Sequence, residues 1–184
     1  MSKTQGPINS KAVIAYCYQD KSYAKALELA KKLYKKVKRD HTGVEYLSHP
    51  LTVATLLLEV GVSSQAMQAS ALQDTLTKTT LKATTIRAEF GDAVADLVSA
   101  LTPVAGADGK ADVAAYKAAI IAAGPEAQTI KLASILDDIC SIPAGKLAAE
   151  ADRIALNAEI AGALTFGNAE IARRVQAALR RARA

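Results

Sequence analysis

The chain is 184 residues long, 51% apolar yet only 4% aromatic, with a formal net charge of +5. It has no uninterrupted apolar run of the roughly 18 residues that a membrane helix needs, and its two cysteines, Cys17 and Cys140, share no metal-binding spacing. A membrane-spanning helix and a zinc module are thereby excluded, and the mild positive charge suits an anionic ligand without requiring one.

Ala and Leu dominate, and ten glycines and five prolines leave few interruptions, a composition that favours closely packed helices over sheet. The opening residues MSKTQGPINS lack an apolar signal core, so the expected location is cytoplasmic. Residues 1–8 read as a loose tail and 9–184 as one domain. Asn9 or Ser10 is placed to cap a helix ending near Gln19, and Asp20 or Ser22 to cap the next. There Tyr23, Leu27, Ala30, Tyr34 and Val37 recur on one helical face. Lys31, Lys32, Lys35, Lys36, Lys38 and Arg39 form the opposite face, solvated or available to phosphates. RDHTG then reads as a loop, with His41 exposed and Gly43 at the turn.

In VEYLSHPLTVATLLLEVG, Ser48 is placed as the cap, Pro50 suits the first turn and Gly61 ends the helix. His49 therefore stands at a helix N-terminus. Ser63 or Ser64 starts a helix predicted to carry Gln73 and Asp74 in its middle, with Lys78 one turn on. A carboxylate among small apolar residues needs satisfaction: Asp74 faces solvent, pairs with Lys78 at i,i+4, or marks an old metal site. Thr79 or Thr80 is predicted to begin a helix to Phe90, and Asp92 to cap one through about Leu101. A loop over 102–112 precedes helices at about 112–123, 126–140, 146–165 and 168–182. The final segment carries Arg173, Arg174, Arg180, Arg181 and Arg183 without interleaved aromatics, which leaves nucleic-acid binding unsupported.

Taken in order, RDHTGVEYLSHPLTVATLLLEVG, ASALQDTLTKT, IRAEFGDAVADLVSALT and IKLASILDDICSI resemble the HD-superfamily alarmone hydrolases. These are the metal-dependent (p)ppGpp 3′-pyrophosphohydrolases of the RelA/SpoT-homologue and small-alarmone-hydrolase type. The resemblance runs from about residue 20 to 142; the later helices match only in kind. It implies four metal-ligand positions, one from Tyr-x-x-His-Pro, two from a His-Asp pair and one from the Asp of Lys-Leu-Ala-Asp. It also implies a following Glu-Asp pair that serves the attacking water. Imidazole and carboxylate together hold a Mn²⁺-like ion that acidifies water, and the acid pair moves the proton.

On this chain the ligand positions are His49, Gln73, Asp74 and Ser134, and the acid pair is replaced by Thr77 and Lys78. Half the ligands and both acids are therefore changed. Lys78 is expected to form a direct ion pair with Asp74 in place of the metal. The implied nucleotide contacts fall near Lys38 and Arg39, at Asp138 in place of Asn, and at Ser141 in place of Thr.

The sequence thus predicts an all-α, single-domain HD-type helical bundle that has lost hydrolase chemistry, with no metal cofactor. Its partner is a guanosine nucleotide or a protein. One alternative is an active phosphohydrolase whose metal site is rebuilt from His49, Asp74 and Asp137 or Asp138. Another is a purely structural interaction domain using the basic face of residues 31–39 or the arginine-rich end.

Overall fold

The structure, a computed structural model, describes residues 9–106, 109 and 111–183. In chain order the helices are α1 (Ser10–Gln19), α2 (Lys21–Leu33), α3 (Ser48–Val60), α4 (Ser64–Leu72), α5 (Thr75–Lys78), α6 (Ala83–Phe90), α7 (Asp92–Ala100), α8 (Val113–Ala122), α9 (Pro125–Ser141), α10 (Ala151–Ala163) and α11 (Ala169–Arg183). Extended pairing among the described residues is limited to two isolated bridges, Lys38 with Glu45 and Ala105 with Ala111. The fold is all-α. The predicted tail over 1–8 and part of the predicted 102–112 loop lie outside the described residues.

Two helices carry the centre. In α3 an almost continuous run from His49 to Leu57 is buried, and α9 buries residues on most of its circumference. A helix apolar on all sides belongs in a protein interior, and the α3–α9 contact is the axis of the bundle. α2 and α7 pack against α4, while α11 covers α9. Full burial of side chains such as Leu57, Ile130 and Leu132 contributes about 1.5–3 kcal/mol each. α2 buries Tyr23, Ala26 and Ala30 and its cap Tyr34 is buried too, while Leu27 and Val37 pack partly buried against the core. Cys17 and Cys140 are free thiols, and burial raises the pKa of each.

Capping explains several boundaries. Asp20 accepts from the backbone N–H groups of Ser22 and Tyr23, both at 2.9 Å, and Ser63 accepts from Ala66 N–H at 3.1 Å. α9 begins at Pro125 directly after Gly124, whose φ of 93° few other residues adopt. Four predicted boundaries move. Thr79 and Thr80 precede α6 without joining it, since α6 begins at Ala83. The helix predicted from 146 begins at Ala151, because short 3₁₀ turns over Ala144–Lys146 and Ala148–Glu150 follow the extended Pro143. Ser48 and Asp92 lie inside their helices rather than capping them.

The consequential difference is at Gln73 and Asp74. They do not lie within one helix. α4 ends at Leu72, Asp74 has φ −101° and ψ 3°, and α5 starts afresh at Thr75. The hydroxyl of Thr75 turns back to donate to Leu72 O at 2.7 Å, a local bond that competes with the helical ladder. This break sets the two side chains against α3.

Candidate functional site

The segment between α2 and α3 folds back on itself. Arg39 N–H donates to Val44 O at 2.9 Å, Tyr46 N–H to Val37 O at 2.9 Å, and Gly43 N–H to Arg39 O at 2.7 Å. Gly43 takes φ 71° at this reversal, the left-handed region that glycine enters freely. Through the Lys38 bridge and the turn that follows, burial alternates residue by residue: Lys38 and Asp40 are exposed, whereas Arg39 and His41 are 3% and 4% exposed. The expectation that His41 is exposed is therefore corrected. The same alternation separates the expected nucleotide contacts, with Lys38 directed to solvent and Arg39 to the interior.

His49, in the first turn of α3, is 2% exposed and has different neighbours at its two ring nitrogens. Around Nε2 lie the other implied metal positions: Gln73 Nε2 at 3.3 Å, Ser134 Oγ at 3.3 Å and Asp74 Oδ2 at 3.5 Å. At Nδ1 the ring donates to Asp137 Oδ2, 2.6 Å away. The proton of that bond sits at Nδ1, and Nε2 faces the Gln73 amide, the Ser134 hydroxyl and the Asp74 carboxylate. The four positions inferred from the resemblance thus converge in space from α3, the α4–α5 break and α9.

Asp137 gathers a second layer. Its Oδ2 also accepts from Arg39 Nη1 at 2.6 Å, while Arg39 Nη2 reaches Ser141 Oγ at 2.8 Å and Asp138 Oδ1 at 3.2 Å. Ser141 Oγ lies 2.7 Å from His41 Nε2. Three of the expected nucleotide contacts, Arg39, Asp138 and Ser141, are therefore bonded to one another. Burial opposes the charged form of His49, but its bond to Asp137 and the charges of Asp138 and Asp74 keep its pKa above the ordinary value. Burial likewise opposes ionisation of Asp137, and His49 and Arg39 overcome it, holding the carboxyl below the ordinary range. Burial and the Arg39 charge push His41 down.

Asp74 and Lys78 do not meet as expected. Asp74 Oδ2 accepts from the Tyr46 hydroxyl at 2.8 Å, and no ion pair joins it to Lys78 among the described residues. Lys78 Nζ lies instead 4.7 Å above the Tyr46 ring. The two residues are still one turn apart, with the Lys78 N–H donating to Asp74 O at 2.9 Å, but both side chains turn to Tyr46, the carboxylate to its hydroxyl and the ammonium to its ring. Thr77, the other acid position, is exposed, and its hydroxyl donates to Asp74 O at 3.1 Å.

These residues can be tested against the Mn²⁺-like ion that the resemblance implies. Around Nε2 only Asp74 offers negative charge, and that oxygen already serves Tyr46. Gln73 turns an amide nitrogen inward and Ser134 a neutral hydroxyl, both poor ligands beside imidazole and carboxylate. This donor set does not fit the ion. The role of Tyr46 as partner of Asp74 is not derivable from spacing alone; the signal available was its place in Tyr-x-x-His-Pro. Asp137 was visible only as one of two adjacent acids a turn after Ser134.

An all-α bundle that gathers a histidine and carboxylates where two central helices cross has the architecture of an HD domain. The chain belongs to the HD-domain family, whose match covers residues 26–160. Within it the similarity is to proteins of ppGpp metabolism. A guanosine-3′,5′-bis(diphosphate) 3′-pyrophosphohydrolase of Aquifex aeolicus is 34% identical over 118 residues, and a GTP pyrophosphokinase of Streptomyces coelicolor is 30% identical over 119. Each alignment takes in 62% of this chain but only 17% and 14% of those longer proteins. The fold matches a solved structure of a metazoan SpoT ortholog described as hydrolysing ppGpp, with a TM-score of 0.74 over 88% of this chain and 96% of the other, at 17% identity.

Proposed function

We propose that this chain is an HD domain of the ppGpp-hydrolase type that has lost catalysis and acts by binding a guanosine nucleotide or a protein partner. The observation that carries this reading is the surroundings of His49 Nε2: one carboxylate, one amide and one hydroxyl. Thr77 and Lys78 replace the acids that would take the proton of an attacking water, and neither accepts a proton near neutral pH as a carboxylate does. A site rebuilt from His49, Asp74, Asp137 and Asp138 is disfavoured by the guanidinium of Arg39, which already holds both α9 carboxylates.

The experiment is to incubate the purified chain with Mn²⁺ and ppGpp and follow pyrophosphate. No release above background is expected, and turnover at about 1 per second or faster, a rate ordinary for enzymes, overturns the reading. The melting temperature separates the partners. A rise with ppGpp or GTP supports a nucleotide ligand. No response supports a protein partner, for which the exposed lysines at 32, 35, 36 and 38 offer a surface.

A further inference from the structure

The positive charge of the chain collects at one end of the bundle. Lys32, Lys35, Lys36 and Lys38 are exposed at and just beyond the C-terminal end of α2, and none forms an ion pair among the described residues. Arg180, Arg181 and Arg183 are exposed at the C-terminal end of α11, likewise without one among the described residues. Together these side chains carry more than the formal net charge of +5. Far apart in sequence, the two runs meet in the fold. Arg39, which follows Lys38, donates to Ser141 at the C-terminal end of α9. α11 starts beside the start of α9, where Asn168 N–H donates to Thr129 Oγ1 at 2.9 Å, and packs along it. Arg181 accordingly stands near Cys140, whose thiol feels its charge. Lys146 adds an exposed cation at this end, its ammonium donating to His41 O at 2.9 Å. Of the acids nearby, Asp40 and Glu150 pair with Arg153, and Asp137 and Asp138 with Arg39, which leaves Glu45 exposed.

The surroundings of these cations select the kind of polyanion they suit. A folded protein partner needs an apolar centre to its interface, and beside Lys38 and Arg39 only Val44 offers an exposed large apolar side chain. Single-stranded nucleic acid is held by stacking its bases on exposed aromatic rings. The exposed aromatics, Tyr18 and Phe166, stand at the opposite end of the bundle. Tyr18 comes just before Asp20, which caps the start of α2, and Phe166 N–H donates to Gln128 near the start of α9. What remains is a set of unpaired ammonium and guanidinium groups with nothing to read bases or to bury a protein surface. That set matches a duplex backbone, where binding is electrostatic and driven by release of counterions.

We propose that the end of the bundle formed by Lys32–Lys38 and Arg180–Arg183 is a docking surface for the phosphate backbone of double-stranded nucleic acid, bound without regard to base sequence. The inference does not depend on the chemistry at His49, which is buried, and stands whether or not the chain hydrolyses ppGpp.

The test uses the full chain and fluorescence anisotropy with short duplex DNA and duplex RNA of mixed sequence, read across a salt series. Duplex is expected to bind, with log K falling against log salt at a slope of about −3 or steeper, since each phosphate contact contributes roughly −0.9. The tighter of the two duplexes identifies the source of the backbone. Lys35→Gln with Lys36→Gln, and Arg180→Gln with Arg181→Gln, each remove two exposed charges. Each pair is expected to weaken binding about tenfold or more and to make the slope shallower by about 2. Lys21→Gln with Arg173→Gln removes as much exposed charge near the opposite end and should leave affinity and slope as in wild type. No duplex binding at about 50 mM salt, no loss in either of the first two pairs, or an equal loss in the Lys21 and Arg173 control overturns the proposal. So does a single strand of the same length that binds more tightly than duplex. Polyglutamate that displaces duplex at equal charge concentration also overturns it, and assigns the surface to an acidic protein.

Discussion

Arg39 Nη1 stands 2.6 Å from Asp137 Oδ2 across 98 residues of sequence, with both side chains almost wholly out of solvent. This contact fastens the α2–α3 segment onto α9 and shares its carboxylate oxygen with His49. Breaking a buried pair from one side leaves a charge without a partner, and Arg39→Met should cost about 3–5 kcal/mol of unfolding free energy. Arg39→Met with Asp137→Leu should cost less than the sum of the single changes, with a coupling of roughly 1–3 kcal/mol. Urea denaturation of the four proteins reads it, and additive costs would show that the contact carries no net energy.

The acid limb of the stability profile should report the same carboxylate. His49 and Arg39 hold the folded Asp137 below the ordinary range against the effect of burial. A lowered folded pKa means stability that is present above the unfolded value of about 3.9 and is lost as pH falls through the folded value. His49 has the opposite sign: burial opposes its charge but Asp137 outweighs that, so its contribution is full below about 6.5 and fades as pH rises through the raised folded value. Unfolding free energies measured from pH 2 to 8 should therefore rise through the acid range and soften above neutrality. Asp137→Asn should flatten both limbs, and a profile unchanged by that variant would remove this residue from the account.

Much of this arrangement is legible in the sequence, and the reasons differ by element. The α2 face from Tyr23 to Tyr34 follows from helical periodicity, because burial there is set by a repeating local geometry. His49, Gln73, Asp74 and Ser134 could be placed together through the resemblance, and in space all cluster at one imidazole nitrogen. What the sequence conceals is partner choice between polar groups distant in the chain. Lys38 and Arg39 look alike in a basic run, and only the folded chain shows that the second turns inward to its partners on α9. The break between α4 and α5 was hidden too, since a hydroxyl bonding to a nearby carbonyl leaves no mark on apolar spacing.

The Tyr46 ring sets the energetics of Lys78. Its ammonium sits over the Tyr46 ring and the residue is exposed, where a cation–π contact contributes about 0.5–1 kcal/mol. Lys78→Met should therefore cost no more than about 1 kcal/mol. Tyr46→Phe removes the donor to Asp74 and should cost about 1 kcal/mol as an ordinary hydrogen bond. A loss of about 3 kcal/mol or more in Lys78→Met, the size expected on breaking a buried pair, would show a direct Asp74–Lys78 pair in solution.

Restoring the family's donor set tests whether the scaffold still supports a metal. His49 Nε2 already lies within 3.5 Å of atoms of Gln73, Asp74 and Ser134, so the backbones carrying the four positions are close enough for side chains to converge on one ion. Gln73→His and Ser134→Asp replace the weak donors with imidazole and carboxylate, and should raise divalent affinity by orders of magnitude. Elemental analysis of that double variant after dialysis should find near-stoichiometric Mn²⁺. Thr77→Glu and Lys78→Asp then return the acids that position water and take its proton, and the fourfold variant should release pyrophosphate from ppGpp in a Mn²⁺-dependent manner. The two outcomes separate cause from cause. Metal without turnover would place the remaining defect in substrate contacts, where Arg39, Asp138 and Ser141 are bonded to one another. No metal at all would mean that the α4–α5 break holds position 73 in the wrong orientation, and the view that only side chains were lost would fail.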